Sequence, residues 1–249
     1  MLQNKTLLPM QFFRSLVFSI FVNAWGAIIP IVYIIPAFIS RDKKIADRGA
    51  KIWSIGVFWM LKKLCKIDYK IIGSENILKE PCIYASKHQS MWETVVMHLI
   101  IDRPVYAYKK ELELIPFYGW FIKFMSGIKV DRKGGVRSLK SVINQAKNYL
   151  TKGQSVVIFP QGTRVPVGGL IEKYPYQAGI TALYNACDIK VVPVALNSGL
   201  YWPKGQILKN CGTIIIEFLP AIDRGLSKEE FNKRLISTIE KKAKNLLKN

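Results

Sequence analysis

The chain has 249 residues, half of them hydrophobic, with 37 Lys and Arg against 17 Asp and Glu, for a formal net charge of +20. That is more apolar than a freely soluble enzyme needs and less than a polytopic transporter needs, which leaves a globular body with a limited membrane anchor. The charge favours polyanions such as anionic lipid headgroups or acidic substrate carriers. Nucleic acid is not an expected partner, because no RNA-recognition, zinc-finger or helix-turn-helix signature accompanies the charge.

The first element is an uncharged run over 15–40, long enough to enter or cross a bilayer. Gly26, Pro30 and Pro36 argue against one straight helix, leaving a kinked span or a helical hairpin in one leaflet. The basic residues Arg41, Lys43, Lys44, Arg48 and Lys51 follow it, against Lys5 and Arg14 before it, which predicts a cytoplasmic body. Residues 52–64 carry Trp53 and Trp59 beside Lys62 and Lys63, a pattern for a helix at headgroup level or an ordinary core helix. Strands are then predicted at 69–72, 82–86, 105–108, 128–131, 155–159, 191–196 and 213–219. Helices are predicted at 90–101, 117–125, 136–150 and 177–186. A last helix opens on the capping box Ser227-x-x-Glu230 and carries the apolar stripe Phe231, Leu235, Ile239, Ala243 and Leu246.

Alternating strands and helices specify an α/β fold: a single catalytic domain with a largely parallel or mixed central sheet flanked by helices. It occupies 68–249, preceded by a membrane-associated helical region over 1–67. Cys65, Cys82, Cys187 and Cys211 are far apart and form no C-x-x-C pair. They read as core residues in a reducing compartment, with neither a metal site nor a disulfide framework implied.

Four segments could carry chemistry. In Ser86-Lys87-His88-Gln89-Ser90-Met91-Trp92-Glu93, a strand ends and a helix begins, with His88 in the turn. Five residues on a regular helix would separate two side chains by about 140°. His88 therefore meets Glu93 only if it lies outside the helix and folds back. A carboxylate on one imidazole nitrogen would fix the tautomer and free the other nitrogen to take a proton. Ser90-x-x-Glu93 is equally a capping-box pattern, in which Glu93 reaches back to the helix start.

The second segment, Phe159-Pro160-Gln161-Gly162-Thr163-Arg164, follows a strand; Gly162 permits close backbone approach to a ligand, and Arg164 offers a planar fork to phosphate. Taken alone it is a strand and turn with an exposed arginine. In the third, Lys109 follows a strand ahead of the apolar, proline-containing stretch 115–120. The fourth, Val192-Pro193-Val194-Ala195, reads as a buried strand.

In this order the segments, HQSMWE, KKELELIP, FPQGTR and VPVA, resemble the glycerolipid acyltransferases that include 1-acylglycerol-3-phosphate acyltransferase. That family carries H-x-x-x-x-D, K-x-x-L-x-x-I-P, F-P-E-G-T-R and a V-P-V strand. The resemblance spans residues 68–219. It implies acyl transfer from acyl-CoA or acyl carrier protein to the sn-2 hydroxyl of lysophosphatidic acid, giving phosphatidic acid at the inner membrane. The catalytic domain would face the cytoplasm. It implies His88 as general base, Glu93 as its orienter, and Lys109, Gly162, Thr163 and Arg164 around the acceptor phosphate. Pro160 and Gln161 would shape the pocket. No cofactor beyond the thioester co-substrate and no metal are implied. Two positions depart from the pattern: Glu93 stands for an aspartate, keeping the charge, and Gln161 stands for a glutamate, losing it. The second leaves open another lysolipid or glycerol 3-phosphate as acceptor. A weakly catalytic lipid-binding membrane protein is the reading from a different class.

Overall fold

The structure, a computed structural model, describes residues 7–115, 119, 122 and 127–248. The helix predicted over 117–125 falls almost wholly outside the described residues. Two helices come first, α1 (Leu7–Ser40) and α2 (Lys43–Cys65). There follow β1 (Ile67–Ile72), β2 (Ile83–Ser86), α3 (Trp92–Ile100), β3 (Val105–Lys109), β4 (Gly127–Val130), α4 (Gly135–Thr151), β5 (Val156–Ile158), α5 (Ala178–Cys187), β6 (Val191–Leu196), β7 (Gly212–Phe218) and α6 (Lys228–Asn245).

Seven strands form one mixed sheet in the order β1-β7-β6-β2-β5-β3-β4. Strands β6, β2, β5, β3 and β4 run parallel to their neighbours within that group; β7 pairs antiparallel with β6, and β1 parallel with β7. The parallel strands explain why the central segments read as near-continuous apolar runs: both faces are covered. Strand periodicity divides them. Tyr84, Val157, Val192 and Val194 face one core with Phe18 of α1, Val57 and Leu61 of α2 and Trp92, Val95 and Val96 of α3. Ile83, Ala85, Val156 and Val191 face the other, with Val142 and Ala146 of α4, Ile180 and Leu183 of α5 and Phe231, Leu235 and Ile239 of α6. The last helix bears both of its predicted features. Ser227 and Glu230 exchange both capping bonds, and its five stripe residues are all buried. Each contributes about 1.5–3 kcal/mol where a large side chain is fully removed from water.

The 15–40 run is one continuous helix, with Pro30 and Pro36 inside it. A hairpin does form, but between this helix and α2, not within the run. Its packing is an interlock of aromatics and glycines: the indole of Trp53 lies against Gly26, that of Trp25 against Gly56, and the Tyr33 ring against Gly49. The indole N–H groups of Trp25 and Trp53 find no partner among the described residues, so the interlock rests on shape.

A Cβ on Gly56 would sit 2.4 Å from Trp25 Nε1 and 2.9 Å from Cε2. Gly56→Ala gains about 1 kcal/mol of helix propensity. Overpacking a bulky ring costs about 1–3 kcal/mol. The expected result is a lower thermal midpoint in detergent. Gly179→Ala on α5, with nothing within 4 Å of the new methyl, should not lower it.

The outward faces of the hairpin are apolar. Phe13, Phe38 and Ile39 are 64%, 72% and 76% exposed, and Ile55 and Trp59 continue the surface on α2. The stretch Leu8–Ser40 is long and apolar enough to cross a membrane by length and composition. It is also docked to the body. Gln11 Nε2 donates to the Lys209 carbonyl at 2.9 Å, Ser15 Oγ accepts from Lys209 N at 3.0 Å, and Phe18 meets Trp202 edge-on at 5.2 Å.

Candidate active site

Parallel neighbours end on the same side, so β6, β2, β5, β3 and β4 bring their C-terminal residues to one edge of the sheet, the usual ligand edge of open α/β sheets. That topology assembles the segments that the sequence scatters. The turn after β2 carries His88, the turn after β5 carries 159–164, β3 ends at Lys109, and Arg132 and Ser198 follow β4 and β6.

At the centre His88 Nδ1 lies 2.8 Å from Glu93 Oε1. The same oxygen accepts from the backbone N–H of Gln89 at 2.6 Å and of Ser90 at 2.7 Å, while Ser198 Oγ donates to Oε2 at 2.7 Å. Both readings of Glu93 therefore hold together, since it reaches back to the helix start and also meets the imidazole. The capping box itself is incomplete. Helix α3 starts at Trp92, its N-cap Met91 has no side-chain bond, and Ser90 Oγ accepts from Trp92 N. Glu93 is fully buried. A carboxylate so placed is tolerable because four donors replace its water.

With the proton on Nδ1, donated to Glu93, Nε2 is left as the acceptor, and 16% of the His88 side chain remains exposed. The ring stacks on Phe159 at 4.0 Å between centroids, and its carbonyl accepts from Val165 N at 2.7 Å. The two turns are thus held together through ring and backbone.

The 159–164 turn closes through Gly162 N to the Phe159 carbonyl at 2.8 Å, with Gly162 at φ +65°, a conformation that favours glycine. Pro160 is buried and its carbonyl accepts from Gln177 N. Gln161 is buried as well and donates from Nε2 to the Tyr174 carbonyl at 2.9 Å. That contact needs a donor, which an ionised glutamate could not supply, so the amide suits its place. Thr163 Oγ1 accepts from Lys204 Nζ at 3.4 Å. Arg164 is half-buried, Lys109 is exposed at the end of β3, and neither has an ion-pair partner among the described residues. Lys110, beside Lys109, is committed to Asp131 at 2.5 Å, and hydrogen bonding to that ammonium holds the Asp131 carboxyl below its ordinary range.

Sequence reasoning missed two residues. Arg132 donates from its guanidinium to the Gly162 carbonyl, adding an exposed cation to the turn. Its signal was the basic Asp131-Arg132-Lys133 run just after a strand. Ser198 had no local signal, because only the β6–β2 pairing brings it to Glu93. Among the described residues no three of His, Cys, Asp and Glu gather as metal ligands.

The other histidine plays a different part. His98 on α3 packs against the Tyr106 ring at 4.8 Å, and burial, with the Lys51 cation, holds its pKa down to about 4. Its unfolded counterpart titrates near 6.5, so between pH 6.5 and 4 the unfolded chain binds the extra proton and stability falls with falling pH. The loss reaches up to about 3 kcal/mol below both values. Thermal midpoints recorded over that window should fall less steeply in His98→Gln than in the parent.

A family model described as Acyltransferase matches residues 68–197, from β1 to the end of β6. The 1-acyl-sn-glycerol-3-phosphate acyltransferase of Pseudomonas aeruginosa is 33% identical over 216 residues, covering 85% of this chain and 81% of that protein. Its namesake in Escherichia coli is 25% identical over 213 residues, covering 84% and 80%. The crystal structure of the 1-acyl-sn-glycerophosphate (LPA) acyltransferase from Thermotoga maritima superposes with a TM-score of 0.76 over 95% of this chain and 97% of that one, at 22% identity. That neighbour shares the overall fold of this chain. The chain belongs to the acyltransferase family, among the 1-acyl-sn-glycerol-3-phosphate acyltransferases.

Proposed function

We propose that this enzyme moves a fatty acyl group from a thioester carrier, coenzyme A or acyl carrier protein, to the 2-hydroxyl of lysophosphatidic acid, giving phosphatidic acid. The observation that carries the mechanism is the His88 imidazole held by a fully buried carboxylate beside the cationic 159–164 turn. His88 Nε2 takes the acceptor hydroxyl proton as that oxygen attacks the thioester carbonyl. The imidazolium, stabilised by Glu93, returns the proton to the departing thiolate. No enzyme nucleophile is acylated, and no cofactor beyond the thioester enters the balance. General-base catalysis of this kind contributes about 10²–10⁴-fold, and positioning of the two substrates supplies much of the rest.

The acceptor phosphate would sit among Lys109, Arg132, Arg164, the Gly162 backbone and Thr163, where exposed cations adjoin the base. Gln161 and Pro160, both buried, hold the turn in shape. The exposed apolar faces of α1 and α2 would lie in lipid. Docking of α1 through Gln11, Ser15 and Phe18 favours a hairpin set into the cytoplasmic leaflet of the inner membrane, with the basic residues 41–51 at the headgroups.

The test is a panel of acceptors (lysophosphatidate, other lysolipids, glycerol 3-phosphate) against acyl-CoA and acyl carrier protein donors, with His88→Ala alongside. Preferred turnover of lysophosphatidate, about 10³-fold lower in His88→Ala, is expected. Preference for another acceptor would overturn the substrate, and full activity in His88→Ala would overturn the mechanism.

A further inference from the structure

The last helix touches the active site twice. Lys87, immediately before His88, is 4% exposed and its ammonium contacts both oxygens of Glu240 on α6, at 2.7 and 2.8 Å. Tyr176 O–H donates to the same carboxylate at 2.9 Å, two residues beyond the carbonyl that receives Gln161. Just past the end of α6, the Leu246 carbonyl accepts from Asn197 Nδ2 at 3.2 Å, and Asn197 immediately precedes the Ser198 that donates to Glu93. One helix therefore abuts the residues before the two side-chain donors to the Glu93 carboxylate, His88 and Ser198, and through Tyr176 it reaches the segment that Gln161 ties down. This helix lies outside the residues that the family model matches.

Burying a lysine beside a carboxylate is an expensive way to gain stability, because apolar side chains of equal volume do as well or better. What this pair supplies is restraint: the Lys87 stem is buried and its ammonium is held by two oxygens, so the turn that carries it is tethered to α6. We propose that α6 is a positioning element of the active site and that Glu240, through Lys87 and Tyr176, is the positioning residue that holds the His88 turn in register with Glu93. This rests on the reading of His88 as the base. Glu240 touches no reacting atom; it sets where the imidazole stands, and a displacement of about 1 Å at such a group can cost 10²-fold in rate.

The experiment uses the full-length protein in detergent, with acyl-CoA and lysophosphatidate, recording kcat, both KM values and the thermal midpoint. Glu240→Gln and Lys87→Met should lower kcat by about 10–100-fold while both KM values stay within about threefold. Lys87→Arg, which keeps the charge and the reach, should recover most of the rate. The double variant Lys87→Met/Glu240→Leu should lose no more than the worse single, since both act through one contact. Breaking a buried pair can unfold a protein, so the double variant and Tyr176→Phe, expected to lose about two- to fivefold, keep the test decisive if the singles do not fold. The inference is overturned if these two fold and turn over at the parent kcat, whatever their thermal midpoints. His88→Ala separates the failures. If it stays active, the base assignment itself falls; if it is dead while the Glu240 and Lys87 variants are not, only the positioning role does.

Discussion

His88→Ala is expected to lower kcat by about 10³-fold with KM for lysophosphatidate nearly unchanged, the signature of a group that acts in the transition state rather than in binding. The split follows from placement. The ring offers one nitrogen to Glu93 and leaves the other for the proposed acceptor hydroxyl, while the cations proposed for the phosphate stand on other turns. The fold should tolerate the change. Glu93 keeps its bonds to Gln89 N, Ser90 N and Ser198 Oγ, and the ring is stacked on Phe159 but partly open. A destabilisation of about 1 kcal/mol covers one lost hydrogen bond. Single-turnover measurement with excess enzyme would establish that the chemical step has slowed. A fall confined to KM would place His88 in binding and end its assignment as base.

The parts of this molecule legible in its sequence are those that local patterns determine. Strands at Ile83–Ser86, Val156–Ile158 and Val191–Leu196 announced themselves as short apolar runs because both faces are buried. The last helix was legible because cap and stripe lie within one turn or one face of each other. The His88–Glu93 contact was legible as a geometric condition, satisfied because His88 lies before the helix starts at Trp92.

What escaped depends on pairing between distant strands. Nothing near Ser198 hints that its hydroxyl meets Glu93, 105 positions earlier; that needs β6 beside β2 and parallel to it. The antiparallel turn of β7 onto β6 is likewise a matter of tertiary order. The prolines of α1 left a kinked span and a hairpin within the run both open; one continuous helix carries both prolines, packed along α2, so the turn lies after the run and not inside it. Gln161 was legible as a departure from the family pattern, yet its meaning was not: only the structure reveals that it faces the Tyr174 carbonyl.

Glu93 offers the sharpest division between holding the turn and stabilising charge. Glu93→Ala would strip four donors at once and leave the buried N–H groups of Gln89 and Ser90 unpaired. At about 1–3 kcal/mol for each, the loss of fold would obscure any loss of chemistry. Glu93→Gln separates them. Its carbonyl oxygen can take the place of Oε1, accepting from His88 and both backbone groups, while its amide donates to the Ser198 hydroxyl, which turns to accept. Shape and tautomer survive and only the negative charge is lost. If the carboxylate stabilises the imidazolium, kcat should fall by about 10²-fold with a thermal midpoint close to the parent's. Glu93→Asp makes the reverse exchange, keeping charge but shortening the reach to contacts now at 2.6–2.8 Å, and a loss of about tenfold is expected. The order parent, Asp, Gln in kcat therefore reports charge, whereas Gln at or above Asp reports a cap. A Gln variant with the parent's rate would reduce Glu93 to the start of a helix and leave His88 without a counter-ion.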